Sequence, residues 1–445
     1  MEHSENSCGM FYKEQSELLE STLNHTFVYG FKNNISNFNR VEYFLLPDCN
    51  LKCKYCYLSK RGNLLYPRHL RNPEAICLHS RLLTDWLRDS GFHGVIEIFS
   101  GEPTQLSFFW EILDYILDNL PNAHVVIPTN MTFLLDEGLT KNMETRLKTK
   151  RVHLSASIDG KYLQSLNRPF KFKQRYDDEF FEKAFTFAKK WHIGFHPMIY
   201  SNGIELWKKN FLWFMEMYEK YNLPKESLYL LEVRNEEWSV KQIYEFYKFT
   251  RFLVGYAFDV IANKDIRAFK DFIFKKRGFN ILSSPFTTIG RGIGCSIQST
   301  LTVRLGDLAI VPCHRLAYDS FVAGRFVVRD GKIVGIEAEN PETFISILTA
   351  DIRNSPICET CILKHLCSGG CLGAQFESTG NLFAPIPTVC MAEHWKVLGI
   401  LLEMKERDIL YDVMLDLPPN KQASIRLLLE VYDNERNKTI KRNNK

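Results

Sequence analysis

The chain reads as an α/β protein built on a parallel sheet, and three observations carry that expectation. Apolar segments of strand length alternate with amphipathic helical patterns over the first half of the chain. The chain's 445 residues, 45% hydrophobic and 24% charged, are enough for two or three soluble domains with ample cores. Ten of its twelve cysteines fall into two spaced groups, which points to metal rather than disulfides.

The candidate strands are Val41–Leu46, Val95–Phe99, His124–Pro128, Val152–Ile158, Gly194–Ile199 and Leu228–Val233. Between them lie Ser80–Ser90, Leu106–Asn119, Asp178–Trp191 and Trp207–Tyr221, with apolar residues at three- and four-residue steps. Such alternation predicts parallel strands joined by right-handed helical crossovers. Six units are too few for a complete eight-stranded barrel. Residues 236–290, rich in Phe, Tyr and Lys, read as bridging helices ending in a linker at Ser284, Pro285, Gly290, Gly292 and Gly294. A hairpin is expected over Leu301–Val311, and helices over Trp395–Val413 and Lys421–Tyr432 that pack back on the first domain. The basic stretch 434–445 reads as a solvated, frayed end.

A formal charge of +4 is too small to argue for nucleic acid. No apolar run approaches the ~18 residues needed to cross a bilayer. With no signal peptide in view, the chain reads as cytoplasmic. Cys8 and Cys77, outside the two groups, read as a terminal free thiol and a packed core residue.

The first group is Cys49, Cys53 and Cys56, spaced C-x3-C-x2-C directly after the first candidate strand. Iron–sulfur cubanes are usually held by four cysteines. Three thiolates leave one iron open to an outside ligand. A zinc knuckle would want two C-x2-C pairs or paired histidines, and no His lies among these three cysteines.

This loop, with Tyr55 before its last cysteine, resembles the cluster loop of the radical S-adenosylmethionine (SAM) superfamily. The resemblance implies an open (β/α)6 partial barrel, with SAM on the open iron and chemistry at the C-terminal ends of the strands. Other segments fit the same site. Ser100-Gly101-Glu102-Pro103 resembles the family's G-G-E-P segment, with Ser100 in place of its first glycine. There the glycine lets backbone approach closely and the carboxylate accepts from the SAM ammonium. Thr129-Asn130-Met131 stands where the family often has T-N-G. Ser155-Ala156-Ser157-Ile158-Asp159-Gly160 is similar to the S-x-D-G element, whose hydroxyl and carboxylate suit the ribose diol. Arg168 resembles the arginine that pairs with the SAM carboxylate.

The second group reads Cys358-x2-Cys361-x5-Cys367-x3-Cys371, with Cys295, Gly306 and Cys313 upstream and Cys390 downstream. This order resembles the SPASM domain over roughly residues 290–395, which implies two auxiliary clusters. The resemblance assigns Cys358, Cys361, Cys367 and Cys390 to one cluster. It assigns Cys295, Cys313 and Cys371 to the other, leaving an iron for water, a side chain or a substrate thiolate. A zinc ribbon would account for the C-x2-C pair alone, and purely structural clusters stapling a loop-rich fold are the further alternative. His314 stands where sulfatase-maturing relatives carry an aspartate base, so it is a candidate base or a hydrogen bonder beside a cluster.

The implied organisation is an N-terminal extension over 1–40, a radical SAM core over 41–235, bridging helices over 236–290, a SPASM domain over 291–395 and C-terminal helices over 396–445. The implied activity is that of an oxidoreductase acting as a peptide or protein maturase. It would use a 5′-deoxyadenosyl radical to abstract hydrogen and install a cross-link or other oxidative change. A small-molecule dehydrogenase, a formylglycine-forming sulfatase maturase and a non-catalytic cluster scaffold are the competing functions. A scaffold would have no need of the SAM-site motifs. The implied partners are a peptide or protein substrate and a reductant such as flavodoxin or ferredoxin. The first 40 residues are too short for a winged-helix leader-recognition module, so leader binding would fall to a separate protein or to the cluster domain. Anaerobically reconstituted protein is expected to carry about twelve iron atoms per chain, from three four-iron clusters. Iron assay settling near four per chain would remove the two auxiliary clusters.

Overall fold

The computed structural model describes residues 38–172, 176–234, 237–287, 296–349, 355–367 and 369–443. Cys295, the N-terminal stretch to residue 37 and the linker glycines Gly290, Gly292 and Gly294 lie outside the described residues.

Five parallel strands form the barrel wall in sequence order: β1 (Arg40–Phe44), β2 (Val95–Phe99), β3 (His124–Thr129), β4 (Val152–Ala156) and β5 (Gly194–Phe195). Their alternation puts one set of side chains against the helices and the other toward the barrel interior. On β1, Val41 and Tyr43 are fully buried, and the Tyr43 hydroxyl meets Thr84 Oγ1 at 2.9 Å on the helical side. Glu42, on the opposite face, is also buried. The crossovers include α1 (Tyr57–Leu65), α2 (Pro73–Asp89), α3 (Phe109–Asn119), α4 (Glu137–Leu147), α5 (Asp178–Trp191) and α6 (Trp207–Lys220). Helix α2 starts where its sequence says it should: Asn72 accepts from Glu74 N at 2.9 Å, and Pro73 occupies the first turn.

The fifth and sixth expected strands are shorter than the apolar runs suggest. Gly194–Ile199 is broken into β5 and β6 (Met198–Ile199), and only Leu231–Glu232 of the sixth run is strand, β7. Pro197 has no N–H for a ladder. The Met198 N–H goes to the Asp159 side chain at 2.9 Å instead. β6 and β7 therefore form a separate two-stranded sheet, linked to the wall by the Phe195–Leu228 bridge.

The expected hairpin is present as β8 (Thr300–Arg304) and β9 (Ala309–Val311), followed by β10 (Gly324–Arg329) and β11 (Lys332–Ala338). It does not stand apart from the barrel. β8 pairs in parallel with β1, from Arg40↔Thr300 to Phe44↔Arg304, so all nine strands β11-β10-β9-β8-β1-β2-β3-β4-β5 make one sheet. The sequence placed this hairpin in a separate cluster domain because apolar periodicity cannot reveal which edge a strand will join.

Arg304 locks this junction. Its guanidinium is fully buried, pairs with Asp307 at 2.7 Å and Asp319 at 2.8 Å, and donates to the carbonyls of Leu65 and Ala317. The end of α1, the β8–β9 turn and the segment after Cys313 thus share one cation. Arg304→Leu leaves two carbonyls and Asp307 without that partner. It is expected to cost about 3 kcal/mol, measured as a lower urea midpoint for the reconstituted protein.

Outside the barrel, α7 (Val240–Tyr256) packs along α8 (Pro387–Glu406), with Tyr247 edge-on to Trp395 at 5.4 Å and Arg251 Nε donating to Glu403 at 2.9 Å. Among the described residues no helix is long and apolar enough to cross a membrane.

Candidate functional site

The loop carrying Cys49, Cys53 and Cys56 follows β1 and is held from two sides. On one side, Gly101 N donates to Leu46 O and Glu102 N to Asp48 O, both at 2.9 Å. A Cβ on Gly101 would sit 2.2 Å from Asp48 O, so no other residue fits this approach. Ser100, standing where the resemblance has a glycine, donates its hydroxyl to Leu46 O at 2.6 Å and so adds a further tie to the loop. On the other side, Lys52 N donates to Pro169 O, Lys54 N to Asn167 O, and Lys171 N back to Asn50 O. The three cysteines line a cavity of about 1320 Å³ together with Tyr55, Ser100, Gly101, Glu102, Asn130, Ser157 and Arg168. Seven of the eight SAM-site residues expected from sequence meet on that one wall.

The eighth, Asp159, is placed differently from the expectation. Expected at a ribose, it is fully buried and does not line the cavity. Its Oδ2 accepts from the Tyr55 hydroxyl at 2.8 Å and its Oδ1 from Met198 N at 2.9 Å, and Arg168 forms an ion pair with Oδ1, Nε lying 3.0 Å away. Arg168 also lies over the Tyr55 ring, 5.3 Å from its centroid. Asp159 therefore orients Tyr55 and Arg168 from behind. Sequence position alone cannot tell a carboxylate facing a ligand from one facing the side chains that do.

Glu102 is buried and gathers donors. Oε1 accepts from Thr104 Oγ1 at 2.7 Å and Thr129 Oγ1 at 2.8 Å, and Oε2 from Asn130 N at 2.6 Å. Burial raises its pKa, and those donors pull the other way. Asn130 donates to Asn50 Oδ1 at 2.9 Å, reaching back into the cysteine loop. Met131, in place of the expected glycine, has φ 63°, the left-handed region. That conformation costs a non-glycine residue roughly 1–2 kcal/mol. The Met131 side chain is fully buried, and such burial is worth about 1.5–3 kcal/mol, enough to offset the strain.

His314 is set back from this cavity, whereas its neighbour Arg315 lines it. Its ring stacks on Phe99 at 3.9 Å and beyond Tyr57 at 5.9 Å, and Nδ1 meets Glu42 Oε2 at 2.7 Å. Burial works against a charge on this imidazole, but the Glu42 carboxylate outweighs it and raises the pKa.

Cys358, Cys361, Cys367 and Cys390 line a second cavity with Arg234, Glu393 and His394. Cys371 lines both cavities, as does Arg234. Cys313 ends the extended segment before His314, and Arg315 is close enough to Cys371 to feel its charge. The donor sets suit iron–sulfur clusters. Leu51 N points at Cys49 Sγ at 3.3 Å, Leu363 N at Cys361 Sγ at 3.4 Å and Gly369 N at Cys367 Sγ at 3.2 Å, the N–H···S contacts that tune such clusters. Burial pushes the Cys49, Cys53 and Cys367 thiols up to about 12, so ionising them falls to a bound metal. Among the described residues no three His, Cys, Asp or Glu side chains form a single-ion site.

Three features escaped the sequence analysis. His196 lines the large cavity. His394, one helical turn after Cys390, lies 3.4 Å from Cys361 Sγ, and the C-x3-H spacing could have suggested it. Lys396, with no exposed surface, pairs with Glu232 at 3.0 Å and Glu393 at 2.6 Å, while Arg234 pairs with Glu232 and donates to Gly369 O. That network ties β7 to the second cysteine cavity.

No protein-family model matches the chain. No curated protein matches it. Solved structures do. The anaerobic sulfatase-maturing enzyme anSMEcpe with bound AdoMet superposes with a TM-score of 0.56 at 17% identity, covering 87% of this chain and 98% of that one. The same enzyme with bound AdoMet and the Kp18Cys peptide gives a TM-score of 0.56 at 17% identity, covering 85% and 100%.

The chain has the radical SAM/SPASM fold.

Within the radical SAM/SPASM fold, the Asp159–Arg168 pair is buried on both sides. Asp159→Asn leaves the Arg168 guanidinium, 7% exposed, without its counter-charge. It is expected to destabilise the protein by about 3–5 kcal/mol, read as a lower thermal midpoint of anaerobic holoprotein.

Proposed function

We propose that this protein is a radical SAM/SPASM maturase that removes a hydrogen atom from a residue of a peptide or protein and leaves it cross-linked or otherwise oxidised. The observation that carries the proposal is the shared cavity. Cys49, Cys53 and Cys56 line it beside Gly101, Glu102, Asn130, Ser157 and Arg168. When bound, a four-iron cluster and SAM would supply a 5′-deoxyadenosyl radical by reductive cleavage, the electron coming from the reductant.

The chain's own residues have definable tasks around that chemistry. The three cysteines would hold the cluster. Glu102, its oxygens already aligned by Thr104, Thr129 and Asn130, would accept from an ammonium. Arg168, aimed by Asp159, would hold a carboxylate. Ser157 would meet a ribose hydroxyl, with Tyr55 and Asn130 closing the same wall. Cys358, Cys361, Cys367 and Cys390 would hold one auxiliary cluster, and Cys313 and Cys371 would contribute, with Cys295, to the other. Because Cys371 borders both cavities, an auxiliary cluster would sit beside the reacting substrate. His314, the candidate base, stands outside this wall with its ring held by Phe99, Tyr57 and Glu42.

A peptide substrate is supported by the size of the cavity and by the likeness to anSMEcpe, which has been solved with the Kp18Cys and Cp18Cys peptides. A reductant such as flavodoxin or ferredoxin, and a separate leader-binding protein, belong to the same proposal. Replacing Cys49, Cys53 and Cys56 together by Ala should abolish 5′-deoxyadenosine formation from SAM and dithionite, while the auxiliary-cluster absorbance stays. Continued 5′-deoxyadenosine release by that variant would end the proposed mechanism.

A further inference from the structure

His196 lines the large cavity, and both nitrogens of its ring are engaged by serine hydroxyls. Ser155 and Ser157 stand two apart at the end of β4 and so share one face. The imidazole bridges them, with Nδ1 at 2.8 Å from Ser155 Oγ and Nε2 at 2.9 Å from Ser157 Oγ. Its own backbone N–H is taken by Ala156 O at 2.9 Å, which pins the ring beside β4. Burial pushes the pKa down to about 3, and the nearby Arg168 guanidinium acts in the same direction, so the ring is neutral at any working pH. A neutral imidazole has one donor and one acceptor nitrogen. Each serine hydroxyl therefore spends one hydrogen-bonding direction on the ring and cannot rotate freely. Ser157 and His196 line the large cavity, whereas Ser155 does not.

We infer that His196 is a positioning residue: anchored on Ser155, it fixes the Ser157 hydroxyl to meet a ribose hydroxyl of a bound adenosyl group. This rests on the proposal that SAM occupies the cavity. The gain comes from pre-organisation, since a hydroxyl already fixed loses no rotational freedom when the ligand arrives.

The test uses reconstituted holoprotein and equilibrium dialysis with three probes: SAM, 2′-deoxy-SAM and 3′-deoxy-SAM. The wild type should bind SAM roughly tenfold tighter than one of the deoxy analogues, as expected for one well-placed hydrogen bond. In His196→Phe, which keeps a planar ring and removes both nitrogens, SAM should weaken by roughly two- to fivefold, part of that tenfold advantage, because Ser157 keeps its hydroxyl but must order it on binding, while the analogue itself is unchanged. Ser155→Ala, outside the cavity, should lower the same discrimination and serves if the Phe variant does not fold. Equal loss for all three probes would reduce His196 to packing and overturn the inference, as would full discrimination in either variant. A wild type that binds SAM without discriminating either analogue overturns this inference alone. A wild type that binds no SAM overturns the SAM proposal and this inference together.

Discussion

The site turns on one buried carboxylate. Asp159 holds the Tyr55 hydroxyl, the Arg168 guanidinium and the Met198 N–H, and those three groups belong to the cysteine loop, the segment behind it and the strand across the barrel. A fully buried charge is tolerated only when its oxygens are satisfied. Here that requirement forces three separate chain segments to converge. Asn210 adds to the arrangement by donating to the Asp159 carbonyl at 2.7 Å, and Gln164 accepts from its N–H at 2.6 Å. The same carboxylate ends β5, because the Met198 N–H that would continue the ladder is bonded to it. Binding geometry and the break in the barrel wall share a cause.

A second constraint links the two cysteine regions. β1 pairs with β2 on one edge and β8 on the other, so the strand leading into Cys49 is the strand on which the β8–β9 hairpin is built. Cys313 follows β9, and Cys371 borders the large cavity as well as the second one. Arg304 and Arg315, both buried, reinforce the connection with ion pairs, to Asp307 and the exposed Asp319 in one case and Glu377 in the other. A shift of the hairpin would therefore be felt in the wall of the large cavity. The Lys396–Glu232–Arg234 network makes a comparable tie from β7 to the second cysteine cavity.

The first four strands were legible in the sequence to within two residues, because each is a short apolar run bounded by turn or charged residues, and all but the third are followed by a legible amphipathic helix. The last two were overextended. Periodicity scores Gly194–Ile199 as one strand, but it has no means of pricing a proline that lacks a donor or a side chain that captures the next N–H. The substitution of Met131 for a glycine marked a departure in the sequence; that Met131 adopts φ 63° and is compensated by its own burial is a property of the packed core. Helix α4 went unnoticed because its polar composition gives little apolar periodicity, and Asp136, which caps it by accepting from Leu139 N at 2.8 Å, is a weak signal on its own.

The sequence by itself determined the local features: three cysteines on one loop and the turn beside them. Cysteine spacing is a local property, since ligands three or four residues apart on one loop can only reach around a common centre, and the Gly101-Glu102-Pro103 turn is equally local. What only the tertiary structure decided is how groups far apart in the chain divide the work. It placed Asp159 behind the wall and Ser157 on it, drew His196 across to two serines some forty residues earlier, and set His314 against Glu42 rather than in the cavity. Those assignments depend on which face of a strand meets which neighbour and on which buried polar atoms have to be satisfied. Both are settled by packing between segments, and no linear pattern of residues encodes them.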